Sequence, residues 1–385
     1  MRICHLSSGH RPDDDRIFFK EACSLAKRYP DVELLSPHPE HLPADPDGVR
    51  IITFERTKGL LGRMGAVRQL YRKGLERGAD LYHCHEPESL LAAVLIKRKR
   101  GALVIFDSHE LWEGVLSERG PRLVGAAAAR VYRVVEKALL KRCDGGFAAS
   151  QPIADHLAET LGSNRVDTLL NVPVPGVFGE GAARAWGEET VLCHDGYLTF
   201  DRGLRTMAEA VRRTAEKHRV VFKIVGDVFD EERAWLDRFV AEHKLGGTIV
   251  RTGWLPYTEV GRAMAPCHIG LVAFRRCPNH VVAAPNKVFN YLMYGMPFVG
   301  PDFNLTMQAM AAEDGVCTLA DPASPESYAG ALCRMIEDRA GTEAMAARAL
   351  KASKEKYRWE HMEPRLFRLY ERVLGARREG AGRRT

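Results

Sequence analysis

Three stretches of the sequence concentrate side chains able to do chemistry. HCHEPES, from His83, packs two imidazoles, a thiol and a carboxylate into four positions, and FDSHELWEG, from Phe106, sets Asp107, His109 and Glu110 together. An imidazole beside a carboxylate is the pairing that proton transfer uses at neutral pH. The third stretch, PNKVFNYLMYGMPFVGPD, runs from Pro285 to Asp302. Val288, Tyr291 and Leu292 recur there at helical spacing, Gly295 stands where a helix would stop, and Pro297 opens an apolar run that reads as a buried strand. Pro285 suits a helix start, so the N–H groups around Asn286 and Lys287 would be unpaired donors at the positive end of a dipole, a fit for a phosphate. An ordinary helix–turn–strand unit is the other reading of the same residues.

Metal chemistry is the competing use of the histidines. On a strand, however, Cys84 points away from His83 and His85, and Cys193–His194 and Cys267–His268 also fall at strand positions, so no metal site is expected. Asp13, Asp14 and Asp15 could form an acidic metal cluster but read as helix capping. Nine cysteines without repeated CxxC spacing imply reduced, mostly buried thiols and no disulfide framework.

The elements that must position these groups alternate. Arg2–Ser7 reads as a strand, 8–14 as a polar loop and Asp15–Arg28 as a helix with Ile17, Phe18, Ala22 and Leu25 on one face. Strand-like runs follow at Val32–Ser36, Val49–Thr53, Leu81–His85, Leu103–Ser108 and Gly146–Ser150, separated by helical patterns. Such alternation predicts a parallel, doubly wound sheet, in which ligands collect at strand carboxyl ends. HCHEPES and FDSHELWEG both fall there. Asn171–Glu189 is dense in Pro and Gly and reads as a linker, after which a second α/β series begins at Thr190 with strands Val191–His194 and Val220–Val225 and the run Thr248–Thr252. The tail ARREGAGRRT reads as disordered.

With 385 residues, 45% apolar and 28% charged, the chain suits two domains, and a net charge of +6 is too modest for a dedicated nucleic-acid binder. Anionic small molecules or an anionic membrane face are the expected partners. Two helical stretches, Leu60–Arg77 and Arg122–Arg142, carry several basic residues each and could lie on anionic lipid or simply show a solvated face. No apolar run of about 18 residues occurs and the start lacks a signal-peptide core, so the expected location is cytoplasmic, at most at the inner face of the cell membrane.

PNKVFNYLMYGMPFV resembles the donor-binding segment of GT-B glycosyltransferases of the family-4 type, which carry a P-x-K-x-x-E-Y-x-x-x-G-x-P pattern. Lys287 matches its lysine, while Asn290 replaces the glutamate that closes an E-x7-E motif and Val282 stands at the motif's opening position. HDGYLTFDRGL resembles the family's glycine loop through Gly196 and Arg202, with Tyr197 where many members place a second arginine. KIVGD, through Gly226, and TGWLPYTEV, around Leu255 and Pro256, resemble the loops on the nucleotide side, and SSGHRPDDDRI resembles the first loop through Gly9.

The resemblance implies an α/β, GT-B architecture of two Rossmann-like domains facing a cleft: an acceptor-side domain over 1–175, a nucleotide-sugar domain over 190–356 and a helix over 357–375 crossing back to the first. It implies a donor site of Gly9, Gly196, Arg202, Gly226, Leu255, Pro256, Lys287 and Asn290, and an acceptor side of His85, Glu86 and Glu110. Asp107, His109, Arg202 and Lys287 would be catalytic. The implied reaction moves a hexosyl group from a nucleoside-diphosphate sugar, UDP favoured, to a glycan, lipid-linked or small-molecule acceptor in polysaccharide or glycolipid synthesis. It would proceed without a metal or other cofactor and with retention of configuration. Because the paired acids are absent, inversion with Asp107 or His109 as base also stands. A nucleotide-sugar epimerase and a non-catalytic sugar-nucleotide binding protein are the alternatives from other classes.

Overall fold

The computed structural model describes residues 1–43, 47–56, 59–118, 120–181 and 186–382. Its contacts divide the chain into two units, Met1–Leu170 with Glu360–Thr385, and Asn171–Trp359.

In the first unit seven strands, β1 (Arg2–Leu6), β2 (Asp31–Pro37), β3 (Val49–Phe54), β4 (Leu81–Cys84), β5 (Leu103–Ser108), β6 (Gly145–Ala148) and β7 (Val166–Thr168), form one parallel sheet in the order β3-β2-β1-β4-β5-β6-β7. The central strands are buried along their whole length, which is why they read as near-continuous apolar runs. Register then does the positioning. His5 pairs with His83 across β1 and β4, and His83 with Ile105 across β4 and β5. Side chains alternate faces with period two, so His85 and Asp107, two residues further along, also come side by side.

The segment after β1 departs from the expected regular helix over Asp15–Arg28. Ile17–Ala22 is a turn of π-helix, with Glu21 N–H reaching back to the Arg16 carbonyl, and only Cys23–Ala26 is α-helical. The wider turn brings Lys20 and Glu21 inward, both buried. The aspartates before it cap and pair: Asp14 accepts from the N–H groups of Arg16 and Ile17, Asp13 binds Arg11, and Asp15 binds Lys20.

The second unit repeats the plan with β8 (Thr190–Asp195), β9 (Val220–Val225), β10 (Ile249–Arg251), β11 (Ile269–Leu271), β12 (Phe298–Pro301) and β13 (Cys317–Ala320), parallel in the order β10-β9-β8-β11-β12-β13. The strands β7, β11 and β13, each of three or four residues, are absent from the runs read in the sequence, although β4, β6, β10 and β12 are as short and are present among them. The Pro- and Gly-dense stretch read as a linker is packed where it is described, with 182–185 outside the described residues. Phe178 is buried beside Tyr257 and Tyr294, and a Cβ on Gly181 would meet the Tyr294 Cα at 2.5 Å.

The last helix, Trp359–Gly382, belongs mostly to the first unit: Tyr370 packs beside His83, Glu363 binds Lys27, and Val373 and Leu369 cover Gly145. The tail expected to be disordered is helical through Gly382, and 383–385 lie outside the described residues. None of the nine cysteines is in a disulfide, and only Cys277 and Cys333 are not buried.

Gly226 marks one of the close backbone approaches in the second unit. Its φ is +150°, and a Cβ there would sit 2.3 Å from the Gly196 carbonyl oxygen. Gly226→Ala is therefore expected to lower stability by at least about 1–3 kcal/mol, measured as a drop in the urea midpoint without a change in slope.

Candidate functional site

Each unit gathers polar groups at its strand carboxyl ends. In the first, Arg16 lays its guanidinium along Asp107, Nε 2.8 Å from Oδ2 and Nη2 2.7 Å from Oδ1, while Nη1 donates to the Leu169 carbonyl at 2.6 Å. Burial would raise the Asp107 carboxyl, but Arg16 and then His109 hold it well below the usual carboxylate range. The same Oδ2 lies 2.9 Å from His109 Nε2 and 3.4 Å from His85 Nδ1. His85 in turn lies 3.1 Å from His5 Nδ1 through its Nε2. The row thus runs from buried His5 through His85 to Asp107 and His109, and only His109 has partial exposure.

Glu86 organises the loop after β1. Its carboxylate accepts from the Ser7 hydroxyl at 2.6 Å, from the Ser8 N–H at 2.8 Å and from the Gly9 N–H at 3.2 Å, and lies 2.6 Å from His10 Nδ1. Burial opposes its charge, yet the bond from His10 holds it far below the ordinary range. Burial likewise opposes charge on His10, and the Asp14 and Glu86 carboxylates raise it to about 9. The Gly9 N–H therefore already serves Glu86. Glu110, partly buried, enters through its backbone, whose carbonyl accepts from the Ser108 hydroxyl at 2.9 Å.

Behind this row, ligating atoms of His5, Glu21, His83 and His85 come within 4.8 Å of one another, as do those of His85, Asp107 and His109. The register of β1 and β4 makes the first group, a set of donor types that could hold a transition metal. His5 Nε2, His83 Nε2 and both Glu21 oxygens have no hydrogen-bond partner. Burial, then repulsion from Asp107, raises Glu21 well above the carboxylate range, and burial, then neighbouring His85, lowers His5 and His83. The group is thereby held uncharged. Cys84 is turned away and donates to the Ile105 carbonyl at 3.2 Å.

In the second unit the helix Asn286–Met293 starts after Pro285. Lys287 is only 3% exposed, and its partner is an imidazole: Nζ stands 3.0 Å from His194 Nε2, while His194 Nδ1 donates to the Leu271 carbonyl at 3.1 Å. Burial, followed by repulsion from Arg202, brings the Lys287 amine down to about 7. Asn290 donates to Asp195 at 2.6 Å, both side chains buried. A Cβ on Gly196, whose φ is +89°, would stand 4.0 Å from the lysine Nζ, which places the glycine loop beside it. Arg202 closes that loop by donating to the Tyr197 carbonyl at 3.2 Å, and the Gly226 N–H donates to the Thr252 hydroxyl. Leu255 and Pro256, partly buried, lead into the helix Tyr257–Met264, which Pro256 caps.

The structure thus gathers His85, Glu86, Asp107 and His109 in one unit and Gly196, Arg202, Gly226, Lys287 and Asn290 around the strand ends of the other. Sequence reasoning missed Arg16, His5, His10, Glu21, His194 and Asp195. Arg16 and Glu21 carried one signal, charged residues flanking the apolar positions of a helix expected to be buried; for the others nothing in the spacing distinguishes them.

At the level of sequence, residues 20–172 match the glycosyl transferase 4-like domain and residues 189–338 match glycosyl transferases group 1. No curated protein matches the chain. Among solved structures it is similar to HepE from Anabaena in complex with UDP and glucose, with a TM-score of 0.72 at 15% identity over 96% of this chain and 99% of that one. Sucrose-phosphate synthase from Thermosynechococcus elongatus gives 0.73 at 16% identity, covering 97% and 99%, and the lipopolysaccharide outer core galactosyltransferase WaaB gives 0.62 at 14%, covering 98% and 100%. At such identities the shared property is the fold, two parallel sheets of seven and six strands flanked by helices.

An amine that loses its proton near pH 7 makes anion binding pH-dependent, with a definite sign. Below pH 7 Lys287 is an ammonium that attracts an anion, and above it a neutral amine that does not. Pyrophosphate is expected to bind about tenfold tighter at pH 6 than at pH 8.5, with proton uptake, and Lys287→Ala to abolish the difference, both read by titration calorimetry in two buffers.

Proposed function

The chain belongs to the glycosyltransferases, matched along both halves by glycosyltransferase domains and built on the GT-B fold, and from that premise we propose that it moves a sugar from a nucleoside-diphosphate sugar, UDP favoured, to a glycan or lipid-linked acceptor of cell-surface polysaccharide or glycolipid synthesis. Breaking the glycosidic bond leaves charge growing on the diphosphate, and the protein must meet it with positive groups fixed in advance. Lys287, Arg202 and the first N–H groups of the Asn286–Met293 helix are those groups. The observation that carries the reading is the buried lysine facing a neutral imidazole beside the glycine loop: its compensating negative charge is one the ligand brings. Asn290 and Asp195, bonded to each other, take the ribose hydroxyls in place of the family's glutamate.

Retention is the outcome we favour, with the departing phosphate helping to deprotonate the acceptor. Asp107 supports this, since both of its oxygens are engaged by Arg16 and the carboxylate is fully buried, a poor base for an incoming hydroxyl. Asp107 is then a positioning residue and His109 the group that meets substrate. One observation favours inversion as the second reading: the Asp107–His109 bond would stabilise an imidazolium formed by general-base action. Proton NMR of the newly formed anomeric centre separates the two.

Incubating a mixed nucleotide-sugar panel with lipid-linked acceptors and weighing the products by mass spectrometry tests the activity; donor hydrolysis alone across the panel counts against it. Lys287→Ala is expected to weaken nucleoside diphosphate binding about ten- to a hundredfold and to lower turnover further, because the charge it meets is largest in the transition state. His109→Ala is expected to lower turnover with donor affinity near normal, by calorimetry beside a rate measurement. Asp107→Asn should do the same less severely, and a lost donor affinity in either variant would reverse the assignment.

A further inference from the structure

The helix Arg122–Leu140 has two apolar faces, and the fold uses only one. Gly125, Ala129, Glu136 and Leu140 are buried against the unit. On the opposite side Leu123 is 86% exposed, Val134 71%, Val131 65% and Val124 60%, with Val135 at 46%. At 100° per residue these five fall within an arc of roughly 120° centred away from the core. The small residues Ala127 and Ala138 lie in the same arc and are exposed as well. Along one edge of the stripe run Arg130, Arg133 and Lys137, all exposed, and Lys141 follows just past the helix end. The helix's only acid, Glu136, faces inward and is held by Tyr132 and His156.

The other edge of the stripe continues into a groove. Val135 and Leu139 form one wall of a cavity of about 260 Å³ whose remaining apolar walls include Val67, Leu91, Trp112 and Leu116. Trp112 lines that cavity, and its buried indole N–H has no hydrogen-bond partner. The other basic helix, Gly59–Arg77, differs: Met64 is the only large apolar residue on it that is prominently exposed among the described residues.

We propose that the outward face of Arg122–Leu140, with the groove beside it, docks the protein on an anionic lipid surface. The proposal rests on the reading above that the acceptor is lipid-borne, and it assigns the place of contact. An apolar stripe edged by basic residues matches a leaflet in which acyl chains lie beneath anionic headgroups. The valines and Leu123 enter the acyl boundary, Arg130, Lys137 and Lys141 meet the headgroup phosphates, and the groove takes the first carbons of a lipid chain. A second copy of the chain is the competing occupant of such a face, but pairing like faces would bring basic edges together with no exposed acid on the helix to meet them.

The test is flotation of the full chain with phosphatidylglycerol-rich and with pure phosphatidylcholine vesicles, at about 0.1 M and about 0.5 M salt. Binding is expected to the anionic vesicles only, weakened several-fold by salt. Leu123→Glu with Val134→Glu should lower it at least tenfold, and Arg130→Ser with Lys137→Ser should remove its salt dependence, while Met64→Glu leaves it unchanged. All of these positions are exposed, and a melting curve checks the fold of each variant. Equal binding by the Leu123/Val134 variant and the parent, or equal binding to both lipids, would overturn the proposal, as would a dimer in light scattering that the same variant converts to monomer. Nucleoside diphosphate binding, measured in parallel without vesicles, separates this outcome from failure of the glycosyltransferase reading: intact diphosphate binding with no flotation sinks the docking surface alone.

Discussion

The ion pair between Arg16 and Asp107 is the constraint on which the first unit's polar row depends. Both side chains are buried, at 3% and 0% exposure, so neither charge is tolerable alone, and removing one partner of such a pair typically costs about 3–5 kcal/mol. The guanidinium meets that demand by donating to two separate pieces of chain, the carboxylate at the end of β5 and the Leu169 carbonyl after β7, and its Nε lies 3.0 Å from a Glu21 oxygen in the π-turn. One cation thereby ties the loop after β1 to the strand ends at the centre and the edge of the sheet.

Its chemical consequence is a fixed order of protonation. With Asp107 ionised by Arg16, the second nearby carboxyl, Glu21, takes a proton, because two buried carboxylates beside a single guanidinium cannot both stay charged. The ionised Asp107 then holds His85 and His109 by their ring nitrogens. Only at His109 does the row reach toward solvent, so a proton that moves along it has one end at which to leave.

The second unit handles charge in the opposite way. Lys287 has been given an imidazole instead of a carboxylate, and desolvation with Arg202 nearby leaves its amine near half-protonated at neutral pH. A buried lysine paired with an acid would be already satisfied. This one gains most when an anion arrives, which is the property we assign to a site for a leaving diphosphate. Among the described residues the buried carboxylate nearby is Asp195, which accepts from the Asn290 amide.

What the sequence determined by itself was the alternation of elements, the two parallel sheets, and the three stretches in which chemistry-bearing residues are near neighbours. Those features are local: periodicity, helix-start and helix-stop residues, and glycines at positions such as Gly196 and Gly203, where φ is positive. Three of the short strands, β7, β11 and β13, left no such trace. What only the tertiary structure decided was which distant residues meet. The register of β1 on β4 put His5 beside His83, the strand order carried β5 to their side, and an unforeseen π-turn delivered Arg16 and Glu21 to Asp107, 91 and 86 positions away in the chain. Burial then fixed the protonation of each group, and it also left one helix with a second apolar face turned outward. Register and burial belong to the packed sheet, and no single segment encodes them.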